Sequence, residues 1–401
     1  MKSINLGKYA LRGGVAVALL TGCGGSQPPI GAPGAMQKAH AVTRTTRPQT
    51  NGYQVLYSFG WIDGTHPYSE LLGHGGNLFG TASKAGGRHN GTVYEVGLDG
   101  KERVLHRFAG GSDGSHPTAG LTELHGTLYG TTPHGGTGSC SYGGCGIIFS
   151  ISPSGKNYMI VHEFDGADGA FPSSDFVVFE GALYGATSGG GANDHGTIFT
   201  VSPSGGFKTL YSFKAKPDGN FPTGRLAGLN GKLYGATLGG GANDDGAVFS
   251  ITPGGAEQIV YSCGEDDCWG PMGGVVLLKG KLYGTSYYAG SNGSVFSVTT
   301  GGKEHTVYSF GGHENGEYPV APLTVHNDVL YGTTQDGGIN DCGTLFSLTP
   351  SGSLQVLYKW SGGDGCNPSA AVTYLNGNLY GTFPAGGVHN KGLLFSLAPP
   401  L

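Results

Sequence analysis

Three charged residues occupy one equivalent place in a repetitive chain. Glu70, Asp175 and Arg225 each lie three residues after a recurring proline, where the other copies carry Gly120, Gly274, Pro322 and Ala371. Two carboxylates and a guanidinium brought together could bind a polar ligand or exchange protons with it. They could equally form a solvated rim with one ion pair. A second group, Glu265, Asp266, Asp267 and Trp269, crowds the loop YSCGEDDCWGP at 261–271. Carboxylates beside an aromatic ring suit a carbohydrate.

Oxygen and nitrogen donors also fill the loops DGTHP, DGSHP, DGAFP and DGNFP, and the loops GGGANDHG, GGGANDDG and GGINDCG. Calcium or a sugar would find ligands there. Turn chemistry explains the same residues, because Asp-Gly and Asn-Asp are what tight loops prefer. Their presence in nearly every copy favours the structural explanation, since a fold's needs repeat with it and an active site does not. Chemistry is therefore expected where copies differ. No nucleophile elbow, HExxH, P-loop or EF-hand pattern occurs. No catalytic residue is singled out, and no cofactor is expected beyond a possible calcium ion.

The elements that must position these residues follow from the period. A Leu-aromatic-Gly tripeptide starts at Leu78, Leu128, Leu183, Leu233, Leu282, Leu330 and Leu379, at spacings of 48 to 55 residues. Strings of the type GTIFTV and of the type LYSF recur at the same period. Each copy reads as four short strands: A after the proline, as in 117–124; B at the tripeptide; C at GTIFTV; D at TLYSF. Asn230-Gly231 between A and B is a type I′ hairpin signal. Four antiparallel strands per copy make a propeller blade, so the expected fold is an all-β, seven-bladed β-propeller. In LYGTT the glycine is expected to leave a slot for an aromatic ring from the neighbouring sheet. The copies begin at a D strand (55–59) and end at a C strand (392–397). The closing blade is therefore expected to be shared by the N- and C-terminal strands, which removes free sheet edges.

The repeat resembles the tandem-repeat family called GloVer (Gloeo/Verruco), in which LYGTT, GTVF and LYSF-x-GG-x-DG-x-x-P recur at this period. The resemblance covers about 53–397 and departs most at 261–271. It implies a surface-exposed repeat domain with varied anchors, lipoboxes among them, and brings no catalytic residues to transfer.

Glycine accounts for 80 of 401 residues, yet hydrophobic residues reach 37% with 21 Tyr and 18 Phe, enough for a core. A net charge of −5 with only 12% charged residues gives no electrostatic case for nucleic acid. Lys2, Lys8 and Arg12 precede a short apolar run, GGVAVALL, which ends in Leu20-Thr21-Gly22-Cys23. This pattern matches the bacterial lipobox, with lipid on Cys23. Residues 1–22 thus read as a lipoprotein signal, 23–52 as a lipidated flexible tether, and 53–401 as the propeller. Gly24 after the cysteine favours the outer membrane. Six other cysteines suit an oxidising compartment. Their expected pairs are Cys140–Cys145 and Cys263–Cys268, close in sequence, and Cys342–Cys366, from loops on one face. The expected function is a membrane-tethered, extracytoplasmic binding or interaction scaffold whose partner is a protein or a glycan. The alternative is a propeller enzyme, a lyase, lactonase or glycoside hydrolase, acting at the channel mouth.

Overall fold

The computed structural model describes residues 52–399 apart from Arg88 and Tyr142. The signal segment 1–22, Cys23 and the tether up to residue 51 lie outside the described residues.

The described chain is all-β, with four-stranded antiparallel sheets recurring along it. Each sheet takes strands A, B and C from one copy and strand D from the next. One sheet comprises Thr122–Leu124, Thr127–Thr132, Ile147–Ile151 and Met159–Glu163. The last copy has no following D strand, and Tyr53–Ser58 takes that place by pairing antiparallel with Leu393–Leu397. The hairpins between A and B turn as the composition demands. Asn230 and Gly231 hold φ of 50° and 71°, both left-handed, and Leu229 faces Lys232 across the turn. Every C–D pair carries a register shift of the β-bulge type, as at Ile198/Phe199. Bulges add local twist to a sheet.

Strand A is shorter than the sequence suggests. Of 117–124 only Thr122–Leu124 pairs as a strand. In the first and third copies a serine side chain replaces the missing ladder. Ser69 Oγ accepts from Thr81 N at 3.0 Å, and Ser174 Oγ accepts from Ala186 N at 3.0 Å. The fourth and fifth copies have longer A strands, Gly219–Leu229 and Pro271–Leu278, which meet through a parallel bridge between Arg225 and Gly274.

Seven apolar clusters fill the interior, each drawing on strands from adjacent sheets; one joins Tyr184 and Ile198 to Leu226, Leu233 and Phe249. Another packs Phe59, Leu71, Leu78 and Tyr94 against Tyr380 and Leu394, so the first copy buries itself on the last. The glycine of the tripeptide does leave a slot for a ring, but the ring comes from the same sheet. A Cβ on Gly185 would meet Phe199 Cζ at 2.8 Å, and Phe199 is its direct partner on strand C. The neighbouring-sheet expectation was wrong because directly opposed residues on adjacent strands approach more closely than residues on facing sheets.

Candidate functional site

Each copy sends its chain inward by the same device. The residue before the recurring proline is left-handed, with φ between 54° and 66°, at His66, His116, Phe171, Phe221, Gly270, Tyr318 and Asn367. Bulky residues hold this conformation only where surroundings over-determine it. Here the N–H donates to a carbonyl of the preceding copy, as from His116 to Asn90 (2.7 Å) and from Phe221 to His195 (3.1 Å). His66 makes the same bond to Lys391 of the last copy at 2.9 Å. The proline then lies on a glycine of that preceding copy. A Cβ on Gly196 would meet Pro222 Cδ at 2.6 Å and the Thr187 carbonyl at 2.4 Å.

The residues one to three places after the proline consequently converge. All seven copies contribute to the lining of one cavity of about 230 Å³. Glu70, Asp175 and Arg225 all line it, so three residues far apart in sequence meet as their shared offset implied. Arg225 Nη1 donates to Glu70 Oε1 at 3.3 Å and lies 3.2 Å from Oε2. The Gly120 N–H donates to Asp175 Oδ1. The side chains keep 29% exposure at Arg225 and 16% at Glu70, both toward the cavity. Burial pushes the Glu70 carboxyl up to about 7; Arg225 opposes that rise and the neighbouring Asp175 adds to it. Asp175 is also raised, again chiefly by burial. Two adjoining carboxylates resist joint ionisation, so they titrate as a pair.

Ser369 Oγ is buried without a hydrogen bond, whereas Glu70 Oε2 is held by the Arg225 guanidinium at 3.2 Å and the carboxyl adjoins that of Asp175. Ser369 and Tyr68 were not anticipated, although both stand one place after the proline and the same offset logic would have found them. Met272, Val320, Pro322 and Ala371 supply an apolar arc from the fifth, sixth and seventh copies.

The second group does not assemble. Asp267 is a turn-former: it accepts from Tyr261 Oη at 2.5 Å, Gly264 N at 2.8 Å and Cys268 N at 2.5 Å. Equivalent bonds recur in other copies, from Tyr211 to Asp218 and from Tyr358 to Asp364, each at 2.8 Å. The repeated loop carboxylates thus serve the fold. Glu265 and Asp266 are exposed. Trp269 instead joins an unanticipated aromatic group, with Tyr288 at 4.8 Å and, beyond it, Tyr287 stacked on Tyr318. Cys263, Asp267 and Cys268 place ligand-type atoms within 4.8 Å of one another, but both thiols are consumed in a disulfide.

The three disulfides are Cys140–Cys145, Cys263–Cys268 and Cys342–Cys366. They suit an oxidising compartment. Among the described residues no helix is long and apolar enough to cross a membrane.

No curated protein matches the chain. Solved structures are similar to the chain at low identity. A protein assigned as a 6-phosphogluconolactonase from Bacteroides uniformis is 13% identical, with a TM-score of 0.49, over 72% of this chain and 83% of that one. A gluconolactonase from Xanthomonas campestris is 13% identical, with a TM-score of 0.42, over 87% and 89%. TolB from Acinetobacter baumannii is 12% identical, with a TM-score of 0.42, over 70% of this chain and 63% of its own. The Gloeobacter/Verrucomicrobia repeat matches at 37–191, 137–294 and 179–395, so with the same strings recurring through those residues the chain belongs to the Gloeobacter/Verrucomicrobia repeat family.

Proposed function

We propose that the chain is a membrane-tethered, extracytoplasmic binding scaffold, built as a closed seven-bladed β-propeller whose central cavity seats a small ligand. One observation carries the reading: residues from all seven copies line a single cavity that holds a partly buried mixed-charge cluster of Glu70, Asp175 and Arg225. Closure of the ring is supported by the pairing of Tyr53–Ser58 with Leu393–Leu397 and by the bond from Thr373 Oγ1 to the Leu71 carbonyl at 2.5 Å. The lipobox supports an anchor on Cys23, removal of 1–22 and an outer-membrane address, with 23–52 as tether and 53–401 as propeller. An envelope protein or a glycan is the class of partner, and calcium belongs in the same screen.

The test is a thermal-shift screen of the full-length chain in detergent against glycans and calcium. A saturable rise in Tm should vanish in Ser173→Trp, which fills the cavity from an exposed position. Binding that ignores this substitution would remove the cavity from the reading. For the anchor, mass spectrometry of the membrane-extracted chain should find acyl groups on Cys23, and Cys23→Ala should release the protein.

A second reading rests on the adjoining Glu70 and Asp175 carboxyls. A buried acid near neutral pKa is suited to proton transfer, so a lyase, lactonase or glycoside hydrolase remains the alternative. Turnover of a lactone or glycoside that Glu70→Gln abolishes would favour it.

A further inference from the structure

Seven large hydrophobic residues are exposed among the described residues, and four of them share one edge of the molecule. Val55 lies on the edge strand Tyr53–Ser58, whose one sheet neighbour is Leu393–Leu397. Trp61 and Ile62 follow in the loop that leaves this strand, at 58% and 76% exposure. Val388, at 72%, sits in the adjoining B–C loop of the seventh copy, where its N–H donates to Ser58 Oγ at 3.4 Å. Scattered apolar residues are ordinary on a surface, but neighbours at loop tips mark a contact. The charges around them are positive. Lys391 Nζ stands 4.3 Å from the centre of the Trp61 ring, and Arg107 Nη1 donates to the Ile62 carbonyl at 2.6 Å. Among the described residues neither cation forms an ion pair. Asp63, the carboxylate of the same loop, is engaged by Gly60 N at 2.9 Å and by Tyr57 Oη. The whole chain carries a net charge of −5, so this positive rim is local.

We propose that this edge docks on the anionic surface of the bilayer that holds the anchor, with Trp61, Ile62 and Val388 in the interface and Lys391 and Arg107 facing lipid phosphates. The inference rests on the lipid anchor proposed above, and not on the central cavity. Two features select a bilayer over a partner protein. The tether 23–52 enters the propeller at the head of this same edge strand, so an anchored Cys23 keeps the edge within roughly 30 Å of lipid, the reach of a flexible chain of that length. The apolar side chains also protrude from loops instead of lining a groove. None of them borders the cavities of about 380 and 230 Å³, whereas a bound peptide needs a concave seat. An indole beside a lysine suits a membrane interface, where the ring sits at headgroup depth and the ammonium meets anionic lipid.

Fluorescence of the full-length chain in vesicles of brominated phosphatidylcholine and phosphatidylglycerol tests this. Bromine high on the acyl chains quenches an indole only on contact. Wild type should therefore lose emission that Trp61→Phe lacks, because Trp360 is fully buried and Trp269 is half-buried. Val388→Asp should suppress that loss while retaining the wild-type circular dichroism and melting cooperativity. Lys391→Gln should lower the docked-to-free ratio about fivefold, the share of one cation near an anionic surface. High salt, or vesicles without phosphatidylglycerol, should weaken wild-type quenching in the same direction. Mass spectrometry of the same vesicles establishes whether Cys23 is acylated. An acylated chain whose Trp61 is untouched by bromolipid overturns the docking and keeps the anchor. A chain without acyl groups on Cys23 overturns both. Trp61 shielded from acrylamide by an added envelope protein, with no response to bromolipid, would assign the edge to a protein partner and overturn the bilayer.

Discussion

At the scale of single residues, the repeat separates structural polar groups from the others. Asp267 has three donors, whereas Asp266 is exposed. Asp267→Ala should therefore cost about 2–3 kcal/mol, the loss of hydrogen bonds to a charged acceptor, while Asp266→Ala should stay within about 0.5 kcal/mol. Urea titrations of the two variants make the comparison, and equal midpoints would refute the assignment. Gly185→Val should destabilise by about 3 kcal/mol, because its side chain must enter space held by Phe199 and Phe176, both buried. Tm measurement checks this. The meeting of Glu70, Asp175 and Arg225 was legible in the sequence for a simple reason. The same chain path in each copy carries equal offsets to the same cavity, so a shared distance from proline becomes a shared lining. The failure to associate Trp269 with Glu265 and Asp266 has the opposite cause. Its ring partner Tyr288, and Tyr287 and Tyr318 beyond it, come from the B–C loop of its own copy and the next D–A loop, which adjacency in sequence does not reveal.

At the scale of elements, strands B, C and D were readable because alternation and β-branched or aromatic residues coincide there. Strand A was over-extended, since Ser69 and Ser174 replace backbone pairing with side-chain bonds that have no periodic signature. The left-handed residue before each proline was equally hidden, as it is variously His, Phe, Gly, Tyr or Asn. Only its neighbours make that conformation necessary. The disulfides act at this scale too. Cys342–Cys366 closes a separation of 24 residues and links the B–C loop of the sixth copy to the D–A loop of the seventh. Loop-closure entropy assigns it about 3 kcal/mol, against about 2 kcal/mol for a bridge across five residues. Chemical denaturation of the Cys342→Ser/Cys366→Ser and Cys140→Ser/Cys145→Ser double variants should reproduce that order, and a reversed order would show that local strain outweighs chain entropy.

At the scale of the whole molecule, titration couples the cavity to the sheets. Glu70, Glu102 and Glu257 are each raised to about 7, chiefly by burial. A carboxyl whose folded pKa exceeds its unfolded value of about 4.3 binds its proton more firmly when folded. The penalty on folding begins as pH rises above the unfolded value, is complete near the folded value of about 7 and is constant beyond it. His66, His106, His116 and His134 act in the other direction, because burial lowers them all. The unfolded chain protonates them first, so their contribution is lost as pH falls below about 6.5. The two sets therefore oppose each other between about pH 4.3 and 7, and neither changes stability further above about pH 7. Denaturant midpoints measured from pH 5 to 9 give the profile. Relative to wild type, Glu70→Gln should gain stability as pH rises from about 4.3 to 7 and hold a constant offset from pH 7 to 9, because glutamine keeps the acceptor for Arg225 and removes the charge that burial penalises. A Glu70→Gln offset that stays constant between pH 5 and 7 would mean the cavity carboxyl is solvated, and that the copies do not enclose the site tightly enough to withdraw it from water.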